Sequence, residues 1–156
     1  MQAIEVDFAQ VPKLIGKTFG PSAWVRVDQE CIDMFADVTG DHAWYHVDVP
    51  RAATELPDGL PIAHGYLTLS LVPALSNEIL RIRYKSRALN YGADRVRFPA
   101  PVLAGDRVRL RTTPAALTSH RLGTLLRLDH IVEIEGRSKA ALSFVRLTLV
   151  LDEYVG

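Results

Sequence analysis

The chain has 156 residues, 48% of them hydrophobic, and its eighteen basic and eighteen acidic residues cancel to a formal net charge of zero. That is enough apolar chain for one sizeable core, so a single domain over residues 1–156 is expected, with no overall field to draw it toward nucleic acid. Its N-terminus, Met1 to Phe8, has the acids Glu5 and Asp7 and no apolar signal core, and the longest mostly apolar stretch, residues 65–80, is too short to cross a bilayer as a helix.

These features make no nucleic-acid partner, no membrane partner and a cytoplasmic location the expectations. The lone Cys31 has no intramolecular disulfide partner. It sits beside Ile32, Met34 and Phe35 and is expected to be a core thiol.

In chain order, residues 23–27 alternate as a short strand. Asp28 is placed to cap a helix running to about Val38, whose apolar Ile32, Phe35, Ala36 and Val38 recur at helical spacing before Thr39 and Gly40 end it. A loop spans Asp41 to Asp48. Asp48 then resembles a second N-cap, with Pro50 in the first turn of a short helix ending near Glu55. Two prolines and Gly59 mark residues 56–61 as irregular.

From Gly65 to about Arg81 the pattern is apolar on nearly every face, as in a helix wrapped by the rest of its domain. Pro73 interrupts it, and a kink is expected there. The texture then changes to period two. Residues 88–98, 106–114, 122–135 and 138–152 read as four long strands, with Arg107, Arg109 and Arg111 on a solvated face. One buried helix followed by four antiparallel strands implies an α+β domain in which a curved antiparallel sheet wraps a long central helix, the hot-dog arrangement. A sheet of this kind leaves edge strands for a partner subunit, so a homodimer is expected.

The residues that carry chemistry lie between these elements. Asp41 and His46, five apart in one loop, are a carboxylate and an imidazole fit to exchange protons near neutral pH. Gly65, at the head of the long helix, offers a backbone N–H with no internal partner at the positive end of the helix dipole. Each feature has a plainer alternative: Asp41 as a turn residue, His46 as a packing or capping side chain. A metal site from Asp41, His42, His46 and Asp48 lacks zinc-type spacing, and none is expected.

Three blocks together resemble the MaoC-like dehydratases, the (R)-specific enoyl-CoA hydratases, and within them the nodulation-protein-N-like branch. They are Phe35 to Asp48, Ile62-Ala-His-Gly65 through Leu71, and Asn90-Tyr-Gly92 leading through Val96 to Arg109. The resemblance covers about residues 10–150 and implies the hot-dog fold. It implies that Asp41 and His46 are a catalytic pair holding a water, and that the Gly65 N–H is the oxyanion donor. It also matches Ser70 to the hydroxyl that orients the carboxylate. Glycine at 65 would let substrate approach the backbone closely. His64 is expected either to line the pocket or to be a structural imidazole near the helix start; Trp44, Tyr45, Asn90 and Tyr91 are further pocket candidates.

The implied reaction is hydration of a trans-2-enoyl-CoA, or of the same thioester on an acyl carrier, to the 3-hydroxyacyl thioester, or the reverse. No cofactor is implied. Ala43, where relatives often have Asn or Gln, favours as an alternative a non-catalytic acyl-thioester-binding module, and Tyr45 stands where Ile or Leu is common. A hot-dog acyl-CoA thioesterase would need an acid on or beside the central helix, where only Glu78, near its far end, is available.

Overall fold

A computed structural model describes residues 3–152; the first two and last four residues of the expected 1–156 domain lie outside the described residues. In chain order the elements are β1 (Ile4–Asp7), a 3-10 segment (Phe8–Leu14), β2 (Val25–Arg26), α1 (Gln29–Thr39), α2 (Trp44–Val47), α3 (Val49–Glu55), α4 (Gly65–Ile79), β3 (Leu80–Arg83), β4 (Ala88–Arg97), β5 (Arg107–His120), β6 (Gly123–Ile134) and β7 (Leu142–Leu151). A five-stranded antiparallel sheet in the order β2-β5-β6-β7-β4 packs against α4, while β1 and β3 form a separate parallel pair.

Alternation along the strands sets the two faces of the sheet. Val108, Leu110, Thr112 and Pro114 of β5 are buried, with Val132, Ile134, Leu142 and Phe144 from β6 and β7 completing the inner face. On the outer face Arg107 pairs with Glu135 at 3.1 Å, and Arg109 and Arg111 both reach Glu133, at 2.6 and 2.8 Å. Burial works to raise the Glu133 carboxyl, but hydrogen bonds and charge from Arg111 and Arg109 outweigh it and leave it below the usual range. The arginine row is therefore an ion-pair ladder.

Leu67, Val72, Leu75 and Ile79 of α4 enter the core. Each fully buried side chain of this size contributes about 1.5 to 3 kcal/mol. Together they exceed the roughly 3 kcal/mol that a proline inside a helix costs, so the helix continues through Pro73. It is not wrapped on every side. Tyr66, Ser70, Ala74, Asn77 and Glu78 form an exposed stripe, because the sheet of one chain covers only one side of the helix.

The ends of the elements shift from expectation for local reasons. The helix stops at Ile79, since Leu80 enters β3 and pairs with Ile4 of a strand that the sequence left unassigned. The strand expected to stop at Pro114 runs on to His120, the proline being taken up at an irregularity between Pro114 and Ala116. Cys31 is half-buried at the rim of the core rather than inside it.

Candidate active site

Local sequence brings the catalytic loop to the mouth of α4. Asp28 caps α1 by accepting from the Cys31 N–H at 3.0 Å, and Gly40 ends it in the left-handed region at φ 75°, returning its N–H to Ala36 O. The chain then turns, with the Asp41 N–H 3.4 Å from Thr39 Oγ1. Short helix α2 follows and presents His46 inward, only 7% exposed. Asp48 caps α3 through the Arg51 N–H at 3.0 Å.

Three hydrogen bonds join this loop to residues 62–64. The Ile62 N–H donates to Tyr45 O at 2.9 Å, the His46 Nδ1–H donates to Ile62 O, and the His64 Nε2–H donates to Asp41 O at 2.9 Å. Since a carbonyl only accepts, each bond fixes which ring nitrogen carries the proton. The two imidazoles are stacked, with centroids 3.7 Å apart and planes at 29°. Tyr45 meets His46 edge-on at 4.4 Å, and Phe35 flanks His64 at 5.1 Å. Gln29 donates to His46 O at 2.8 Å.

A carboxylate oxygen of Asp41 and one ring nitrogen each of His46 and His64 all lie within 4.8 Å of one another. One water at about 2.8 Å from each could bridge three atoms so spaced. Burial pushes the His46 imidazole down, and the charge of His64 adds to this, so His46 is neutral at pH 7 and its Nε2 accepts. This trio is also the group best placed to hold a metal ion.

Gly65 is the first residue of α4 and His64 its cap, so the Gly65 N–H has no partner inside the helix. A Cβ at this position would meet the Phe98 ring at 3.1 to 3.2 Å. The glycine therefore makes room for an aromatic ring at the helix mouth, a contact the sequence did not reveal although Phe98 lay inside the third motif block.

The other candidates divide. Trp44, with the Arg51 guanidinium 4.1 Å above its ring, and the exposed Tyr45 flank the site. The expectation that the Ser70 hydroxyl orients the Asp41 carboxylate is corrected: Ser70 is exposed, and its Oγ donates to Tyr66 O one turn back at 2.7 Å. Asn90 and Tyr91 line a cavity of about 370 Å³ with Ser70, Pro73, Phe144 and Arg146, apart from the trio. His42 bonds Asp37 at 2.9 Å on the surface. Glu78 is exposed in the last turn of α4, about 20 Å along the helix from Gly65. A wide cleft of about 870 Å³ also lies at that far end, between Glu5, Pro21, Glu78 and Arg81.

A curled antiparallel sheet packed on one long helix is the hot-dog fold. Residues 10–125 match the family described as MaoC like domain, and the chain belongs to that family. It is 43% identical to Nodulation protein N of Rhizobium leguminosarum bv. viciae over 148 residues, 94% of this chain and 92% of that protein. It is 42% identical to 3-hydroxyacyl-thioester dehydratase Z of Mycobacterium tuberculosis over 134 residues, 85% of this chain and 88% of that protein. The unliganded R-hydratase PhaJ1 of Pseudomonas aeruginosa superposes with a TM-score of 0.71 at 22% identity, over 89% of this chain and 83% of that one, a likeness of fold. The protein is accordingly an enzyme of the hydro-lyase class. Among the described residues no helix is long and apolar enough to cross a membrane.

Proposed function

We propose that the protein adds water (R)-specifically to the double bond of a trans-2-enoyl-CoA, or of the equivalent acyl-carrier thioester, and catalyses the reverse dehydration. The observation that carries this reading is the gathering of Asp41, His46 and His64 within 4.8 Å at the start of α4. Support for the thioester comes from the relative named 3-hydroxyacyl-thioester dehydratase Z.

In this reading Asp41 and the neutral His46 Nε2 both accept from one water. As the water oxygen bonds C3, one of its protons passes to the pair and electron density moves onto the thioester oxygen. The Gly65 N–H meets that charge, a donor of a kind worth about 3 to 4 kcal/mol in a transition state. The proton then returns at C2, so water has been added across the double bond and both side chains end as they began. Ala43, the residue before α2, has no side-chain amide to offer the water.

The enzyme works here as a single hot-dog domain of the cytoplasm, where CoA thioesters are used, and as a homodimer. β4 is an edge strand with one side unpaired, and Leu89, Tyr91, Phe98 and Tyr66 expose apolar surface along it and the start of α4. Sedimentation should report twice the chain mass; a monomer at micromolar concentration would remove the dimer. The reaction itself is tested by following the fall in enoyl-thioester absorbance over a chain-length series of trans-2-enoyl-CoAs, with the product's configuration assigned. A series in which none is hydrated would overturn the reading.

A further inference from the structure

Beneath the middle of α4 the inner face of the sheet carries a cation without a counter-ion. Arg146 lies on β7, opposite Leu128 of β6 and Ala93 of β4, on the same face as the buried Phe144 and Thr148. A guanidinium has five N–H donors. The hydrogen bond formed here runs from Nε–H to Asn90 Oδ1 at 3.1 Å, and among the described residues no carboxylate pairs with Arg146. The charged or titratable groups facing it are Tyr84 and His130. Burial raises the Tyr84 phenol and lowers the His130 imidazole to about 3, so both are neutral at pH 7 and neither balances the charge.

Two cavities meet at Arg146 and Asn90. One, about 370 Å³, is walled by Leu69, Ser70, Val72, Pro73 and Phe144 and is mostly apolar. The other, about 380 Å³, is walled by Ser76, Asn77, Tyr84 and Thr148 and is more polar. The Thr148 hydroxyl, on a residue 3% exposed, has no hydrogen-bond partner. Along α4 the order from the catalytic end is Gly65, then Ser70 and Pro73, then Ser76, a span of about 16 Å from Gly65 to Ser76. An apolar cavity against the middle of α4 thus adjoins a half-buried guanidinium in a polar recess. Unpaired charge of this kind is costly to keep, and ligand oxygens would offset the cost.

We propose that Arg146, with Asn90 and Thr148, is a recognition site for a carboxylate at the far end of the acyl group, so that the preferred substrates are thioesters of ω-carboxyacyl chains. This rests on the hydratase reading for the thioester end only. The apolar walls of the cavity suit an alkyl chain ending in one carboxylate better than the hydrated phosphates of a carrier.

The test is calorimetric binding of two saturated acyl-CoAs of equal chain length, one ending in methyl and one in carboxylate, to the wild-type protein and to Arg146→Met and Arg146→Lys. Wild type should bind the carboxylate-ended thioester about ten- to a hundredfold more tightly, as expected for charge-assisted bonds to a guanidinium. In Arg146→Met that ratio should collapse toward one, and Arg146→Lys, which keeps the charge without the fork, should retain part of it. Equal affinities in wild type would overturn the proposal. So would a parallel weakening of both ligands in Arg146→Met, which would assign the guanidinium to the CoA phosphates. Saturated thioesters need no turnover, so the two readings fail separately. The ratio without hydration of any enoyl thioester would sink only the hydratase, and hydration without the ratio would sink only the Arg146 site.

Discussion

At the mouth of α4, His46 and His64 each give one ring N–H to a backbone carbonyl, whereas His130, on the inner face of β6, is 1% exposed and has neither ring nitrogen bonded. Burial drives both His46 and His130 toward the neutral form. The outcomes differ because of what surrounds the second nitrogen. In His46 the carbonyl of Ile62 fixes the tautomer and leaves a lone pair beside a carboxylate, an arrangement that can take and return a proton. In His130 the imidazole packs against Phe144 at 5.0 Å as an apolar ring. Desolvation alone makes a histidine neutral; an anchored N–H and a nearby acceptor make it useful.

Substitutions in the loop are expected to have the largest effect. Asp41→Asn or His46→Ala, in protein whose melting curve shows it still folded, should lower the hydration rate about 100- to 10,000-fold, the range for a positioned proton-transfer group. Rates within a few fold of wild type for both would mean that the trio is only structural. A smaller effect, about 100-fold on kcat with little change in KM, is expected for His64→Leu, which removes the bond to Asp41 O and the stacked ring and so misplaces the pair. Its acid limb should also move to higher pH, because the His64 charge no longer opposes protonation of His46.

His130 sharpens the other half through stability. Its folded pKa of about 3 lies below the unfolded value, so the unfolded chain takes the proton first as pH falls. The stability it supports is complete above about pH 6.5 and declines between there and pH 3, by about 1.4 kcal/mol per pH unit. Denaturant unfolding of His130→Leu should show that slope reduced by one proton, with stability at pH 7 equal to wild type or better, since an unpartnered buried polar group is replaced by an apolar one. An unchanged slope would place the titrating group elsewhere.

Much of this was legible from residue order. Asp28, Gly40 and Asp48 announce the two helices around the loop because caps use side chains and φ values that few residues supply. The alternation of β5 announces its two faces. The motif blocks picked out Asp41, His46 and Gly65, but the role of His64 depends on a bond across 23 residues, and the Phe98 contact at Gly65 on one across 33. Neither separation has a period. Ser70 misled for a related reason: an isolated hydroxyl on an apolar helix reads as buried, yet it lies on the stripe that the chain's own sheet cannot reach. α2 was missed because four residues are too few to show helical spacing.

The bonds from Tyr45, His46 and Asp41 to residues 62–64 have a consequence for how such an enzyme changes over evolution or in the laboratory. They clamp the two ends of residues 49–61 together, so that α3 and the irregular segment after it hang from the site as a closed flap. Lengthening a loop whose ends are already pinned costs little, about 0.6 kcal/mol per doubling. This flap is therefore the natural place to exchange or graft sequence when new substrates are sought, with the proton-transfer geometry left beneath it as an unaltered chassis.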